Sequence, residues 1–291
     1  MVDIVNYHVR HSVNIGDLVS SPLSYFEIPG YHLELKDIDE LLQQPPGPHH
    51  VIIGGGGLLF PRFLENLQQL QQQPQPGRVI LWGVGQQSYD NPSESWRNFD
   101  YAPYLEGVDL AGVRDYDVGL PWLPCASCMH PEFDRPRSPK HEMVVFSHKK
   151  FRLNLKGLPT FSNEQVDFRA VLDFLGSGET IITSSFHGAY WGTLLGRKVL
   201  AFPFSSKFYG LKHRPGFYPV ERWRPKKYKI SLFGKTLYQK FSQDWFQCQT
   251  DNWQDYLHDC QSYPESLEEC REQNRQFYQQ VVELVNGSSL G

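Results

Sequence analysis

Long hydrophobic runs are missing from this sequence. No stretch reaches the roughly 18 consecutive apolar residues that a membrane-spanning helix needs, so we expect no transmembrane segment. The N-terminus has no basic flank followed by an apolar core, so we expect no secretory signal peptide. Cysteine is sparse and odd in number, with five residues in a chain of 291. A chain of this size folds without disulfides, and the count favours a reducing cytoplasm over secretion.

The sequence also lacks a large excess of charge of either sign. Its formal net charge is −4, which argues against a nucleic acid as the main partner. It contains neither a GxGxxG motif nor a P-loop. Its one CxxC pair, Cys125 and Cys128, lacks the second pair of a structural zinc site. We therefore expect no metal and interpret the two cysteines as packing residues.

What the sequence does contain is an alternation of strand and helix signals. Apolar runs predict strands at 3–9, 50–53, 78–82, 108–113, 143–146, 181–183 and 199–204. Helical periodicity or small residues predict helices at 60–70, 164–175 and 188–196. Such alternation predicts an α/β fold with largely parallel sheets and helices on both faces.

Five prolines between residues 121 and 139 interrupt this pattern and indicate a segment that crosses between two domains. We predict an N-terminal Rossmann-like domain over 1–120, the proline-rich crossing segment over 121–140, a C-terminal Rossmann-like domain over 141–260, and a last helix over 261–287. Ser262 and Glu265 match a capping box before that helix, and Gly287 is placed to end it. The two domains are expected to face a cleft, and the C-terminal helix is expected to pack back onto the fold.

Charged residues follow the predicted strands, where open α/β sheets bind their ligands. Arg114 and Asp115 end a strand, and a guanidinium there can hold a carboxylate or a phosphate. A local ion pair between the two residues is the alternative. His187 opens a helix and can carry a proton, or it bonds only to neighbouring backbone. Lys207 follows the next strand and is otherwise a solvated surface lysine.

Two loops of the first half are further candidates. Gly54, Gly55 and Gly56 lie between a strand and a helix, where glycine lets the backbone approach an anion. A tight turn with close packing is the alternative. Asn14 and Asp17 follow the first strand. Asp17 is either a helix cap or a carboxylate for a sugar hydroxyl.

A basic and aromatic stretch runs from residue 207 to residue 240. It carries ten Lys or Arg residues and one acid, Glu221. Such a surface can bind an anionic sugar, a diphosphate-linked lipid carrier or the face of a membrane. A solvated face is the plain alternative. A peripheral membrane contact through 207–240 is therefore an expectation to be tested.

Six motifs, in this order, resemble those of the polysaccharide pyruvyl transferase family. They cover roughly the first 210 residues and are NIGD at 14–17, IIGGGGLL at 52–59, WGVGQ at 82–86, GVRD at 112–115, PCASCM at 124–129, and SSFHGAYWGTLLGRKVLAFPF at 184–204 with Lys207 after it. The resemblance implies a GT-B-like arrangement of two Rossmann-like domains. It also implies transfer of a pyruvyl group from phosphoenolpyruvate to a sugar, usually as a cyclic ketal.

The resemblance also assigns residues. The donor-binding arginine, histidine and lysine of the family fall on Arg114, His187 and Lys207. Some members carry an arginine two places before the histidine, where this chain has Ser185, as other branches of the family do. Lys212 or Arg214 is available to replace that cation.

The chemistry expected from this resemblance needs no redox cofactor and no metal. His187, or an acid beside it, would protonate the methylene carbon of phosphoenolpyruvate, and Asp17 or Asp115 would take the proton of the attacking sugar hydroxyl. The acceptor would be a saccharide, free or linked to a lipid carrier. Two other functions stay open: a glycosyltransferase that uses a nucleotide sugar on the same scaffold, and a non-catalytic glycan-binding relative.

Overall fold

A computed structural model describes residues 3–42, 49–72, 77–232 and 235–287. The chain forms two compact units. Unit 1 comprises Met1–Arg135, Ser205–Arg214 and Glu265–Gly291, and unit 2 comprises Pro136–Phe204 and Pro215–Pro264. The units are thus interleaved along the chain, whereas the sequence predicts four consecutive segments.

The secondary structure confirms the predicted α/β class. The strands are β1 (Asp3–His8), β2 (His32–Asp37), β3 (His49–Leu59), β4 (Val79–Gln86), β5 (Leu110–Val113), β6 (His141–Ser147), β7 (Thr160–Ser162), β8 (Gly178–Thr183), β9 (Lys198–Ala201), β10 (Gly216–Phe217), β11 (Arg224–Leu232) and β12 (Lys235–Gln247). The α-helices are α1 (Ile15–Leu18), α2 (Pro61–Gln72), α3 (Pro92–Arg97), α4 (Ala102–Leu105), α5 (Phe168–Gly176), α6 (Phe186–Leu194) and α7 (Ser266–Val285). None of the helices in the described ranges is long and apolar enough to cross a bilayer.

Unit 1 is built on a five-stranded parallel sheet in the order β2-β1-β3-β4-β5. Successive side chains of a strand point to opposite faces, so each strand contributes to two cores. On one face Val51 packs with Leu67 of α2. On the other face Ile52 packs with Val281 of α7. Cover on both faces is what an all-parallel sheet requires.

The last helix packs back onto the first sheet, as the sequence predicts. The buried Trp82 of β4 donates its indole N–H to Asn274 Oδ1 of α7 at 2.9 Å. The predicted capping box is wrong, because Glu265 is the N-cap of α7 and no side chain there makes a capping bond. Gly287 ends the helix as predicted: it has a φ of +78° and donates its N–H to Leu284 O at 3.3 Å.

Unit 2 repeats the strand order of unit 1. Its sheet is also parallel, in the order β10-β9-β8-β6-β7, and the antiparallel pair β11 and β12 forms a separate ribbon. In each sheet, the strand that comes first in the sequence lies between the strands that come second and third in the sequence. The strand order therefore reverses between β1 and β3 in unit 1 and between β6 and β8 in unit 2. Open parallel sheets bind ligands beyond the carboxyl ends of the strands at such a point.

Several predicted boundaries are corrected by the structure. The strand at 50–53 continues as β3 through the glycine run to Leu59, since Gly54 and Gly56 pair with β4. Helix α5 begins at Phe168 rather than at 164, because Asp167 caps it by accepting from Ala170 N at 3.1 Å. Strands β2 and β7, which the sequence patterns did not predict, lie at or near sheet edges. Edge strands carry a weaker apolar signal because one side is not covered by another strand.

Candidate functional site

Arg114 lies at the carboxyl end of β5 and is buried. Its backbone N–H donates to Val84 O at 2.8 Å, which fixes it beside β4. Its side chain passes Gly85, where a Cβ would lie 2.4 Å from Arg114 Nε. It then reaches Gly57, where a Cβ would lie 3.3 Å from Arg114 Nη2. The Arg114 side chain therefore passes over the carboxyl ends of β4 and β3, where Gly85 and Gly57 have no side chains that would block it.

Lys207 lies in the 3-10 helix Ser206–Gly210 and is half-buried. Its Nζ donates to Gln87 Oε1 at 3.4 Å. Burial and the Arg114 guanidinium lower the pKa of Lys207 to about 7, and the carboxylate of Asp17 opposes this shift. Unit 1 thus brings together two of the three predicted donor-binding residues, and we call Arg114 and Lys207 the cation pair.

Asp17 faces the cation pair. It lies in the first turn of α1 and accepts from Ser12 Oγ at 2.8 Å. The capping alternative for Asp17 is wrong, because Asn14 is the N-cap and its side chain accepts from Gly16 N at 3.2 Å. The Asp17 carboxylate raises the pKa of both Arg114 and Lys207 against the effect of burial. Asn14 therefore positions α1, and Asp17 supplies a carboxylate at the site.

Asp115 is 1% exposed. Its Oδ2 accepts from Gln86 N at 2.7 Å and from Tyr101 Oη at 3.0 Å. Burial raises the pKa of Asp115 to about 6, although the Arg114 guanidinium and both hydrogen bonds lower it. This burial favours a positioning role, in which Asp115 joins β4 to the arginine, over direct contact with a substrate.

The predicted glycine loop has two parts with different surroundings. A Cβ on Gly54 would lie 2.8 Å from Pro22, and one on Gly55 would lie 2.4 Å from Ser20 Oγ, so these two positions serve close packing. Gly56 has a φ of +102° and nothing within 4 Å of a built Cβ. The backbone turns there in a conformation that only glycine adopts freely, and the next glycine, Gly57, lies beside the cation pair.

Several polar residues around the cation pair were not predicted individually. Ser206 Oγ donates to Gln86 Oε1 at 2.6 Å, and Ser88 N donates to Ser206 Oγ at 2.7 Å. These bonds tie the segment that carries Lys207 to the end of β4. The sequence shows Gln86 as the last residue of the WGVGQ motif and Gln87 directly after it. It does not show which residues these two glutamines bond to.

In unit 2, Ser185 and His187 begin α6 just beyond β8. Ser185 is the N-cap, and its hydroxyl accepts from Gly188 N at 3.2 Å. His187 is 6% exposed. Its ring lies 4.9 Å from that of Trp191 and 5.4 Å from that of Phe186, measured between ring centroids. Ser185 therefore has a capping role that explains it without a ligand, and the His187 ring packs between two aromatic side chains.

A second histidine stands at the point where the strand order of unit 2 reverses. His148 follows β6 and donates its backbone N–H to Ser184 Oγ at 3.0 Å, and Ser184 donates to Phe151 O. The His148 ring packs on Phe204 at 4.8 Å. The loops after β6 and β8 are thus tied together, which places His148 with His187 at the carboxyl edge of the sheet.

The remaining candidates have structural partners. Cys125 and Cys128 are buried, Cys125 Sγ lies 3.2 Å from Ser127 Oγ, and burial raises the pKa of the Cys125 thiol. Among the residues that the structure describes, no three His, Cys, Asp or Glu side chains form a group that could hold a metal ion.

Lys212, considered as a replacement cation, pairs with Glu269 and lies 4.5 Å from the Trp122 ring centroid.

The basic stretch is described only in part. Lys226 Nζ of β11 lies 3.3 Å from the ring centroid of Trp245 in β12. The side chains of 228–240, which include Lys229, Lys235 and Lys240, lie outside the described residues. The expected membrane contact therefore stays a prediction.

The position of Arg114 leads to a first prediction. Gly85→Ala places a methyl group against the Arg114 side chain, so we expect the guanidinium to shift and the binding of the expected donor, phosphoenolpyruvate, to weaken by about tenfold. Overpacking of this kind costs about 1–3 kcal/mol of stability. Isothermal titration calorimetry and urea unfolding measure the two effects.

The control for this prediction is Gly119→Ala in the same unit. Gly119 has a φ of +74° and nothing within 4 Å of a built Cβ. Its replacement should cost about 1–2 kcal/mol through backbone strain and leave phosphoenolpyruvate binding unchanged. An unaltered affinity in Gly85→Ala would contradict the placement of Arg114 at a binding site.

No family model matches the sequence. No curated protein matches it. Among solved structures, an uncharacterized protein from Klebsiella pneumoniae subsp. pneumoniae is similar over 69% of this chain and 83% of its own, with 16% identity and a TM-score of 0.40.

Proposed function

We propose that this protein transfers a pyruvyl group from phosphoenolpyruvate to a sugar and forms a pyruvate ketal. The cation pair carries the proposal, because Arg114 and Lys207 lie together with Asp17 at the carboxyl edge of the first sheet. Phosphoenolpyruvate is small and bears a carboxylate and a phosphate. An arginine fork and a lysine next to each other match these two anionic groups.

The lowered pKa of Lys207 fits a site that receives an anion. In the absence of ligand, burial and Arg114 disfavour the charged lysine. A bound phosphate or carboxylate would restore the charge and gain a charge-assisted hydrogen bond, worth about 1.5–3 kcal/mol. A few such bonds, less the cost of association, give a donor affinity between about 1 µM and 1 mM.

The proposed reaction has three steps. His187 gives a proton to the methylene carbon of phosphoenolpyruvate, which leaves a cationic centre at the carbon that bears the phosphate. A sugar hydroxyl attacks this carbon and loses its proton to Asp17, and the bond to the phosphate oxygen breaks to release phosphate. A second hydroxyl of the sugar then attacks the same carbon, closes the ketal and gives its proton to His187, while the proton taken up by Asp17 leaves with the phosphate, so that one hydrogen phosphate leaves for each pyruvyl group transferred.

The arrangement needed for this reaction is also part of the proposal. His187 belongs to unit 2 and the cation pair to unit 1. The reaction requires them to act on one substrate, as the GT-B-like cleft between two Rossmann-like domains implied by the family resemblance would allow. The acceptor would be a saccharide, free or carried on a lipid.

Calorimetric titration with phosphoenolpyruvate, beside UDP- and GDP-sugars, tests the proposal. We expect wild-type protein to bind phosphoenolpyruvate and Lys207→Ala to bind it about 10- to 150-fold more weakly, since one charge-assisted hydrogen bond is lost. Lys156→Ala is the matched control, because Lys156 is an exposed lysine of unit 2 and its loss should not change the affinity.

The other outcomes separate the alternatives. Tight binding of a nucleotide sugar with no response to phosphoenolpyruvate would overturn the proposal in favour of a glycosyltransferase. Binding of neither class at millimolar concentration would leave a glycan-binding protein without this chemistry. If Lys207→Ala and Lys156→Ala lose the same affinity for phosphoenolpyruvate, the assignment of the cation pair to the donor site would be wrong.

A further inference from the structure

Unit 1 has an open cavity beyond the carboxyl ends of β3 and β4. Its volume is about 700 Å³, which lies within the range of small-molecule sites, about 300–1,000 Å³. Its walls come from the start of α2, from the loop after β4 and from α3, and they include Phe60, Gln87, Tyr89, Asp90, Glu94 and Asp100. The cavity thus lies at the edge of the sheet where ligands of parallel α/β proteins bind.

Gln87 connects this cavity with the cation pair. Its side chain lines the cavity and its Oε1 accepts from Lys207 Nζ at 3.4 Å. A Cβ on Gly57 would lie 2.7 Å from Gln87 Oε1 and 3.3 Å from Arg114 Nη2. One glycine therefore borders both the glutamine of the cavity and the arginine of the cation pair. A ligand in the cavity would be a neighbour of a donor held by that pair.

Tyr89 connects the cavity with Asp17. Gln87 Nε2 donates to Tyr89 Oη, and the Tyr89 side chain is exposed in the cavity wall at 50% of its surface. Burial of the phenol group and the Asp17 carboxylate raise the pKa of Tyr89, while the bond from Gln87 lowers it. The Asp17 carboxylate, which is proposed to take the proton of a hydroxyl group, therefore interacts electrostatically with this wall of the cavity as well as with the cation pair.

The side chains of the cavity have the chemistry of a sugar site with a charge preference. Carboxylates and amides bond to hydroxyl groups, and the rings of Phe60 and Tyr89 offer flat apolar faces. Of the described residues that line the cavity, three are acids (Asp90, Glu94 and Asp100), and none is Lys or Arg. These three acids would repel a carboxylate on the ligand, so an acidic sugar is disfavoured here.

We propose that this cavity binds the acceptor and that the acceptor is a sugar without an acidic group at the point of attachment, that is, a neutral or an amino sugar. This inference rests on the proposed function, since it gives the second substrate of the same reaction. It adds a location and a selectivity. The donor is held by cations, the acceptor lies among carboxylates, and Gln87 separates the two charge environments.

The test uses matched pairs of sugars: the methyl glycosides of glucose, galactose and mannose, each beside its 6-carboxylate form. Binding to the whole chain is measured by saturation-transfer NMR without donor, and phosphate release is measured with phosphoenolpyruvate present. We expect at least one neutral glycoside to bind about tenfold or more tightly than its carboxylate partner. No binding by any of these neutral glycosides, and none by the methyl glycoside of glucosamine, at about 50 mM would overturn the proposal.

A charge-reversal variant makes the test specific to the cavity. Asp90 and Glu94 are exposed, so Asp90→Lys/Glu94→Lys should fold, which a thermal melt checks. We expect the preference for neutral sugars to disappear or reverse in this variant, while phosphoenolpyruvate still binds by calorimetry and no more weakly than to the wild type. An unchanged sugar preference would overturn the assignment of the cavity. If the wild-type protein does not bind phosphoenolpyruvate but still prefers neutral sugars, the proposed function alone would be overturned.

Discussion

Under the proposed function, the affinity for phosphoenolpyruvate should fall about tenfold for each pH unit above 7, approaching about 100-fold at pH 9. The reason is that burial and Arg114 lower the pKa of Lys207 to about 7. A bound anion stabilises the charged lysine, so binding above pH 7 requires the uptake of one proton. Below pH 7 the lysine is already charged, and its contribution to the affinity becomes independent of pH.

Titration calorimetry between pH 6 and pH 9 measures this effect, with two buffers that differ in ionisation enthalpy to report the proton taken up. Lys207→Arg is the matched variant, because an arginine keeps its charge throughout this range, and its profile should lose the fall above pH 7. A wild-type profile as flat as that of the arginine variant would exclude Lys207 from the donor site.

Unfolding does not account for this loss of affinity. The pKa of Lys207 is lower in the folded chain than its ordinary value, so the unfolded chain binds more protons above pH 7. By linkage, the contribution of Lys207 to stability rises with pH in this window. The effects of pH on binding and on folding through this residue therefore have opposite signs.

Arg114→Leu should destabilise unit 1 by about 3–5 kcal/mol at pH 8, because it leaves the buried carboxylate of Asp115 without its neighbouring cation. It should also abolish measurable phosphoenolpyruvate binding, since the fork of the cation pair is lost. Urea unfolding measures the first effect. Arg97→Ala, at an exposed arginine of α3, is the control and should change stability by less than about 0.5 kcal/mol.

The dependence of this loss on pH identifies its cause. In the wild type, burial raises the pKa of Asp115 to about 6, and Arg114 limits the rise. Without Arg114 the pKa rises further, so the carboxyl group favours folding at low pH and loses this contribution as pH increases. The destabilisation should therefore be smaller at pH 5 than at pH 8. Asp115→Asn in the Arg114→Leu background should recover part of the stability at pH 8, and an equal loss at both pH values would contradict the argument.

The sequence predicted most of the strands because each of the predicted strands contains a short apolar run. Its prediction for β3 was too short, since glycine has little intrinsic preference for strands. The strand continues through Gly54 and Gly56 because its neighbour β4 supplies the hydrogen bonds. The last helix was predicted together with its terminal glycine. Its first residue was predicted wrongly, because the Ser262 and Glu265 pattern matches a capping box and nothing else in the local sequence argues against one.

The site, like the fold, has features that the local sequence predicts and others that depend on residues far apart in the chain. Arg114, Asp17 and Lys207 were candidates because each follows a strand, and that is a local property of the chain. Whether Asp17 caps a helix was undecided by the pattern and was settled by Asn14, whose side chain takes the capping bond. The cavity lined by Gln87 and Tyr89 has no sequence signal, because its walls come from separate elements that only packing brings together.

The sequence by itself determined the α/β class, the placement of polar residues after strands, and the apolar faces of the helices. These follow from the spacing of side chains along the chain. Only the tertiary structure decided that Arg114 and Lys207 form a pair, that Asp115 is buried behind them, and that Lys207 has a pKa of about 7. Distance and burial between residues far apart in sequence set these properties, because electrostatic interactions depend on separation and on the exclusion of water.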